Sequence, residues 1–548
     1  MIAGILLATL LEGGSQKQQS ALAATVIHVK PNGSVDSNCG NTWTNACELQ
    51  TAISLASVGD EIWVTAGTFK PGANREDTFS LKNDVSLYGG FNGMEDAIEQ
   101  RDWQSNLTIL SGDIGIQDDV SDNSYHVITS TDADFSTIFD GFTIIGGNAN
   151  VDENFTYTGG GMLNFSSSPS LTNLTFRDNY ALIGGGMYND VGSSPILTNV
   201  IFSDNQAETD GGGMLNNYSQ PVLVQVSFSA NTANSGGGMY NFYSNPTLTN
   251  VYFSNNVADH SGGGLYNGWY SNPTLTGVSF IGNSSGLGGG GGMYNWTSSP
   301  RLMNVIFSNN SGDSGGGVYN QESSPILYYV AFSENSADSA GGGMANYGGN
   351  PVLTNVTFTG NQANYGGGID NGSGATDIIN AIFSGNTAGS SGGGIYNGSN
   401  TLKLTNVTFS GNTASLSGGG IYNGLSIPTL INSIVWNNSP DQIAGYNNAT
   451  ATFSDVQGGY PGLGNIDLDP LFLDVTIGNL HLPPYSPAID AGNNAAVPAE
   501  ITIDLDGHPR FLDIPGVADI GVGPGPVVDM GAYENQAYIQ LCLPLMFQ

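Results

Sequence analysis

Between residues 158 and 440, apolar side chains stand two apart in short runs and show no helical 3.6-residue spacing. Pro195-Ile196-Leu197-Thr198-Asn199-Val200-Ile201-Phe202-Ser203-Asp204-Asn205 is typical, and Pro351 to Phe358 and Leu404 to Phe409 repeat it. Residues two apart, such as Val200 and Phe202, fall on one face of a strand. Each run is too short for a helix and rich in β-branched and aromatic residues. Between the runs lies a second phrase, three glycines followed by an apolar residue, one variable residue and Asn, as in Gly184-Gly185-Gly186-Met187-Tyr188-Asn189. The last glycine falls at 161, 186, 213, 238, 264, 292, 317, 343, 368, 394 and 420, so the interval is nearly constant.

A unit of this length cannot bury its own apolar face. If each unit forms one coil, its strands pair in parallel with the coils on either side, and equivalent side chains stack about 4.8 Å apart. The spacing predicts an inner file of Phe176, Phe202, Phe228, Phe253, Phe280, Phe307, Phe332, Phe358, Phe383 and Phe409, ended by Trp436, with Val200, Val226, Val251, Val278 and Val305 beside it. Asn holds the third position after the triplet in all eleven units, from Asn164 to Asn423, and a second Asn column from Asn179 to Asn412 follows Phe by three. Stacked amides satisfy one another along the axis, and Asn and Gly suit tight corners. Propeller blades need longer units and leucine-rich horseshoes a different consensus.

The expected fold is all-β: a right-handed parallel β-helix solenoid of about eleven regular coils, plus irregular N-terminal coils and two caps. Residues 25–157 would form one cap with early coils, 158–440 the repeats, and 441–548 the cap that closes the other end. Eleven coils make a rod of about 50 Å. Open coil ends expose unpaired strand edges, so the caps guard against aggregation.

Composition narrows the function. Lys and Arg number 10 against 46 Asp and Glu, a formal charge of −36. Phosphate backbones and anionic lipid are repelled, which excludes nucleic-acid binding. Glycine is abundant, at 80 residues, but without a G-X-Y period, so collagen is excluded. Ile2 to Leu11 is apolar, and Ala21-Leu22-Ala23 resembles a small-residue cleavage site; residues 1–24 read as a degraded or mis-started signal segment. No run of eighteen apolar residues exists, so no transmembrane helix is expected. Cys39 and Cys47, eight apart, allow a small disulfide loop in an oxidising compartment; Cys542 reads as a free structural thiol.

The GGG[MI]YN and PxLTNVxFSxNxA phrases resemble the repeats of chlamydial-type polymorphic outer-membrane proteins and the pectin-lyase-like β-helix superfamily. Ala46 to Ile53, Gly59 to Val64, Tyr88 to Phe91 and Leu110 to Ile114 are similar to the opening of bacterial surface β-helix proteins. Asp469 to Phe472, Ser486 to Gly492, Asp504 to Gly507 and Asp529 to Glu534 resemble the choice-of-anchor Q domain of bacterial secreted proteins. The resemblance implies export and a secreted or cell-surface location, and supplies no catalytic residues. The tail from Tyr538 lacks a basic cluster after its apolar residues, so an LPXTG-type sorting signal is not expected.

Candidate chemistry is sparse. A lyase resembling pectate lyase needs Ca²⁺ and a basic residue, yet the coils hold only Arg177, Arg301 and Lys403, far apart in coil number. Asp178 and Asp204 occupy equivalent positions in adjacent coils and would stand about 5 Å apart, which leaves a cryptic acidic site for a polysaccharide lyase or glycoside hydrolase as the alternative function. Of His28, His126, His260, His481 and His508 only His260 lies in the coils, and no metal or triad spacing appears. Asp504 and Asp506 offer hard oxygens to Ca²⁺, with a plain turn the better-supported reading; no other cofactor is expected. Tyr188, Tyr240, Tyr266, Tyr294, Tyr319, Tyr396 and Tyr422 follow the inner Met or Ile and are expected to form an outward aromatic file, with Trp269 and Trp296 beyond. Such a file suits sugar rings or protein partners. The leading expectation is a monomeric, structural or adhesive surface protein, without catalysis, that binds extracellular glycans or other envelope components.

Overall fold

The computed structural model describes residues 25–151, 156–399 and 401–536. The segment around Ile2–Leu11 and Cys542 lie outside the described residues. Three parallel sheets of 24, 11 and 14 strands wind into a right-handed solenoid of about 15 turns, with 4% of residues helical.

One coil shows how the sequence does this. Ile196–Ser203 pairs in register with Ser170–Arg177 on one side and with Val222–Val224 and Ser227–Ser229 on the other. Asp204 turns the chain at φ 56°, and Gln206–Asp210 joins the narrow second sheet. The glycine triplet then makes the corner into Met214–Asn217, which pairs with Met187–Asp190 and Met239–Phe242 in the third sheet. Two of the glycines have different duties. Gly211 sits at φ 69°, where a side chain is strained. Gly213 has an ordinary φ, but a Cβ there would stand 2.5 Å from the Gly238 carbonyl and 2.8 Å from the Phe228 ring.

The inner columns are as the spacing predicts. From Phe176 to Phe409 neighbouring rings stack with centroids 4.5–5.0 Å apart and planes within 2–8° of parallel. Val200, Val226, Val251, Val278 and Val305 are buried beside them. Both Asn columns are hydrogen-bonded ladders. In the first, Asn164 donates to Asn189, Asn189 to Asn216, and so onward. In the second, each amide does more: Asn283 Nδ2 donates to Phe253 O and to Asn310 Oδ1, while its own Oδ1 accepts the backbone N–H and Nδ2 of Asn256. In the second ladder an amide buried at 0% exposure is tolerated because its donors and acceptor are used, whereas the first ladder leaves Asn164 Oδ1 and both side-chain polar atoms of Asn423 without a partner at its ends.

Trp436 does not end the phenylalanine file. The offset that pairs Thr408 with Ile434 puts Val435 opposite Phe409, and Trp436 opposite Ser410 on the outer face. The coils begin inside residues 25–157, the region expected to hold irregular early coils, and they outrun the limit expected at residue 440. Val26–Ser34, Glu61–Thr65 and Ser86–Phe91 are already strands of the largest sheet, and Ile443–Gly445, Thr450–Thr452 and Asp455–Val456 add another turn after residue 440. At the N-terminal end the helix Leu49–Leu55, capped by Glu48, buries Leu49, Ala52 and Ile53 in the common core. The Cys39–Cys47 disulfide lies beside it, with Cα atoms 5.1 Å apart.

The C-terminal region also departs from a plug on the coil end. It folds back along the outer face of the largest sheet, over the last coils. Val497, Ile501 and Val528 cover Ile379; Leu480 and Ala532 cover Ile382; Leu482, Ala488, Ile489 and Met530 cover Ile434. The Ala532 amide donates to Thr408 Oγ1, and Asn380 and Asn432 donate to the carbonyls of Ile503 and Asn493. Outward Ile and Asn positions in those coils are dry because this module lies on them.

If the second ladder holds the coils in register, Asn283→Leu removes the acceptor of the Asn256 backbone N–H and of one Asn256 Nδ2 hydrogen, and the side-chain donor to the Phe253 carbonyl. The expected cost is about 3 kcal/mol or more, read as a fall in the urea midpoint, whereas the same substitution at exposed Asn234 leaves the midpoint nearly unchanged.

Candidate functional site

The tyrosine file lies on the outer side of the third sheet but is not an open stripe. Tyr188, Tyr266 and Tyr294 are only 6%, 9% and 8% exposed. Their ring faces are taken by one another: Tyr240, Tyr266, Tyr294 and Tyr319 stack in succession at 4.6, 4.9 and 5.1 Å, and Tyr396 stacks on Tyr422 at 5.2 Å. The Tyr294 hydroxyl donates to Gln321. Burial pushes the phenols of Tyr188, Tyr240, Tyr266 and Tyr294 well above their ordinary range. Identical residues in neighbouring coils shield each other, which the outward alternation alone does not reveal.

The open aromatic surface is one corner further along. From Asn164 to Asn346 the chain turns through a left-handed residue soon after each Asn of the third sheet. In three successive coils that residue is aromatic: Tyr218 (φ 48°), Tyr243 (φ 48°), and Trp269 with Tyr270 (φ 54° and 61°). The equivalent corner elsewhere holds Ser166, Val191, Glu322 or Gly348. Tyr218, Trp269 and Tyr270 are 55%, 38% and 66% exposed. Tyr218 stacks on Tyr243 at 4.9 Å, Phe242 packs edge-on to Tyr243 at 4.8 Å, and Trp269 meets Trp296 at 4.6 Å. Tyr243 bridges to Trp269 and Tyr270 at 6.3 and 6.4 Å. Together these six side chains make a ledge across four coils. A bulky residue at left-handed φ costs about 1–2 kcal/mol, and such strain concentrates at functional positions. Trp269 and Trp296 were within reach of the sequence. Tyr218, Phe242, Tyr243 and Tyr270 are added by the structure, and their signal was the aromatic cluster just after Asn216, Asn241 and Asn267.

The carboxylate candidates are placed as follows. Asp178 and Asp204 take the same left-handed corner in adjacent coils and are exposed. Asp178 pairs with Arg177 at 2.5 Å. It also lines a cleft of about 620 Å³ with Asp113, Asp118 and Tyr180. Asp504 and Asp506 do not converge. Asp504 is buried and accepts the backbone N–H groups of Asp506, His508 and Glu534; Asp506 turns away to His481 Nε2 at 2.6 Å. The turn of Asp504 to His508, with Gly507 at φ 83°, consumes the oxygens that a cation would need. His481, stacked on Tyr533 at 3.8 Å, and Asp506 line a second cleft of about 700 Å³.

Residues 250–268, 380–398 and 406–424 match the family model of the Chlamydia polymorphic membrane protein repeat. The chain carries repeats of that type. Each matched segment runs from the left-handed Asn through the inner aromatic, the second Asn ladder, the glycine corner and the first ladder, so the repeat describes the inner columns. No curated protein matches the chain. Among solved structures it is similar to pectate lyase Pel9A (11% identity, TM-score 0.27, covering 93% of this chain and 96% of that one). It is also similar to the A-module of the Azotobacter vinelandii mannuronan C-5 epimerase AlgE4 (14%, 0.26, 77% and 94%). A third likeness is to PfbA, a surface adhesin of Streptococcus pneumoniae (13%, 0.28, 78% and 93%). At this level of identity none of them assigns a substrate.

Several carboxyls held by the coils are pushed upward. Burial brings Asp210 to about 6; it brings Asp370, which accepts the Tyr347 hydroxyl, to about 6 as well. Burial, with Asp467 and Asp469 nearby, takes Asp455 to about 7. A folded value above the unfolded one means that the folded state holds the proton more tightly, so stability is full at acid pH and falls as pH rises from about 4 through about 7. The net charge of −36 acts in the same direction. Thermal unfolding is expected to give a higher midpoint at pH 5 than at pH 8, with a smaller difference in D210N/D370N.

Proposed function

We propose that the chain is a secreted or cell-surface β-helix protein with a structural or adhesive role, and that it binds neutral glycan chains along the ledge of Tyr218, Phe242, Tyr243, Trp269, Tyr270 and Trp296. The observation that carries this reading is the strained, exposed aromatic corner repeated in three successive coils. Apolar ring faces stack on the C–H faces of sugars, and rigid aromatics bind at little entropic cost. The ligand class follows from charge. No basic side chain is among the six, and a chain at −36 repels uronates and phosphates, so uncharged sugars are favoured. A spacing near about 4.8 Å per coil suits an extended polymer better than a single ring. The repeats similar to the Chlamydia polymorphic membrane protein repeat and the disulfide support an exported location. Within this proposal, the C-terminal module that resembles the choice-of-anchor Q domain belongs to the surface-retention end of the molecule.

A second reading, a polysaccharide-cleaving enzyme, is favoured only by the acidic cleft of Asp113, Asp118, Asp178 and Tyr180. Release of reducing or unsaturated ends that disappears in Asp178→Asn would support it.

A glycan array on the intact protein tests the leading reading. W269A/Y270A is expected to weaken binding about tenfold or more, equivalent to about 1.4 kcal/mol, with no change in thermal midpoint. Tyr266→Ala, from the buried file, is expected to lower the midpoint and leave affinity nearly intact. Undiminished binding by W269A/Y270A contradicts the proposal.

A further inference from the structure

The C-terminal module contains one buried carboxylate that nothing satisfies. Asp490, in the Ser486 to Gly492 phrase, is 0% exposed, and neither of its side-chain oxygens has a hydrogen-bond partner. The Ile514 amide faces it but stays outside hydrogen-bonding geometry. Its buried acidic neighbours are provided for. Asp504 accepts three backbone amides. Asp529 accepts those of Asp490 and Asn535. Glu534 accepts those of Leu512 and Asp529 and faces Arg510 at 3.9 Å. An unpaired buried carboxylate costs several kcal/mol unless a counter-charge reaches it. Among the described residues, no Lys, Arg or His forms an ion pair with it.

What does face Asp490 is more acid. One oxygen each from Asp490, Asp513 and Asp519 lies within 4.8 Å of the others. Three carboxylates at this distance cannot all stay ionised beside one another without a cation. Oxygens that share one Ca²⁺ at about 2.3–2.6 Å are at most about 5 Å apart, so the cluster has the dimension of a coordination sphere. Its donors are all hard oxygens, with no His or Cys to favour zinc or copper. Asp513 and Asp519 are exposed, which gives an ion a way in and leaves room for water to complete six to eight ligands.

We propose that Asp490, Asp513 and Asp519 form a Ca²⁺ site that clamps the segment 513–519 to the turn that holds Asp490. The backbone is already built for that approach. Ile520 and Gly521 donate their N–H groups to the Asp490 carbonyl, and a Cβ on Gly521 would stand 2.8 Å from Ala491 C. Ala488, Ile489 and Ala491, on either side of Asp490, pack in the cluster that covers Ile434 on the rod. The ion therefore fastens an otherwise irregular module at the place where it grips the coils. The site is distinct from Asp504 and Asp506, whose oxygens are engaged elsewhere.

The test uses the whole chain, stripped with EDTA and titrated with CaCl₂ alone. Calorimetry is expected to show one saturable Ca²⁺ per chain at or below low-millimolar concentration, the range of extracellular modules, and thermal unfolding is expected to shift upward with Ca²⁺. D513N/D519N changes only exposed groups, and its affinity is expected to fall by at least about tenfold with loss of the thermal shift. Asp490→Asn, which removes the unpaired charge, is expected to fold without Ca²⁺ and to bind none. Asp506→Asn serves as the control and keeps both responses. Absence of saturable uptake in the intact chain, or uptake unaltered in D513N/D519N, overturns the proposal.

Discussion

Every coil of this protein depends on identical side chains meeting their own kind in the coils on either side. The condition is strictest for the buried asparagines. A fully buried amide has two donor hydrogens and an acceptor to satisfy, and the ladder meets all of them only if the next coil offers another amide at the same height. A slip of one residue would point the amides outward and the polar outer residues inward. The phenylalanine file adds dispersion and ring stacking, and the Gly213-type position lets both ring and carbonyl approach the corner backbone. Together they explain why the outer positions vary freely while the inner ones do not.

That freedom is what the surface uses. Outer residues are exempt from the column rule, so aromatic side chains could collect at one corner over four coils and carboxylates at another. The left-handed corner is imposed by the winding of the chain and is met elsewhere by Ser166, Glu322 or Gly348. Tyr218, Tyr243 and Trp269 occupy it at a conformational cost, which the coil's stacking absorbs. The C-terminal module adds a second kind of surface. By lying along the flank, it converts outward Ile379, Ile382 and Ile434 into core and brings separate acidic segments together.

The inner columns were legible because they are periodic: a nearly fixed interval between glycine triplets leaves little choice about which Phe meets which. Trp436 misled because the aromatic of the last unit stands one place beyond the position in register with Phe409, which belongs to Val435. The tyrosine file misled for a different reason. Alternation tells which face a side chain takes, but the shielding of Tyr266 by Tyr240 and Tyr294 is a property of three coils together. The Asp490 cluster was invisible, since Asp490, Asp513 and Asp519 come from separate stretches of a region without a repeat to set their spacing. Asp504 and Asp506 were conspicuous only because they are close neighbours in sequence.

The claim that like stacks on like is tested most directly by a double-mutant cycle on two neighbouring rings, Phe280→Leu and Phe307→Leu, measured by equilibrium unfolding. Stacked rings at 4.7 Å predict a coupling of about 0.5–1.5 kcal/mol. The separated pair Phe176 and Phe280, which share no ring between them, should be additive to within about 0.5 kcal/mol. If the neighbouring pair proves as additive as the separated one, the columns do not exist as described.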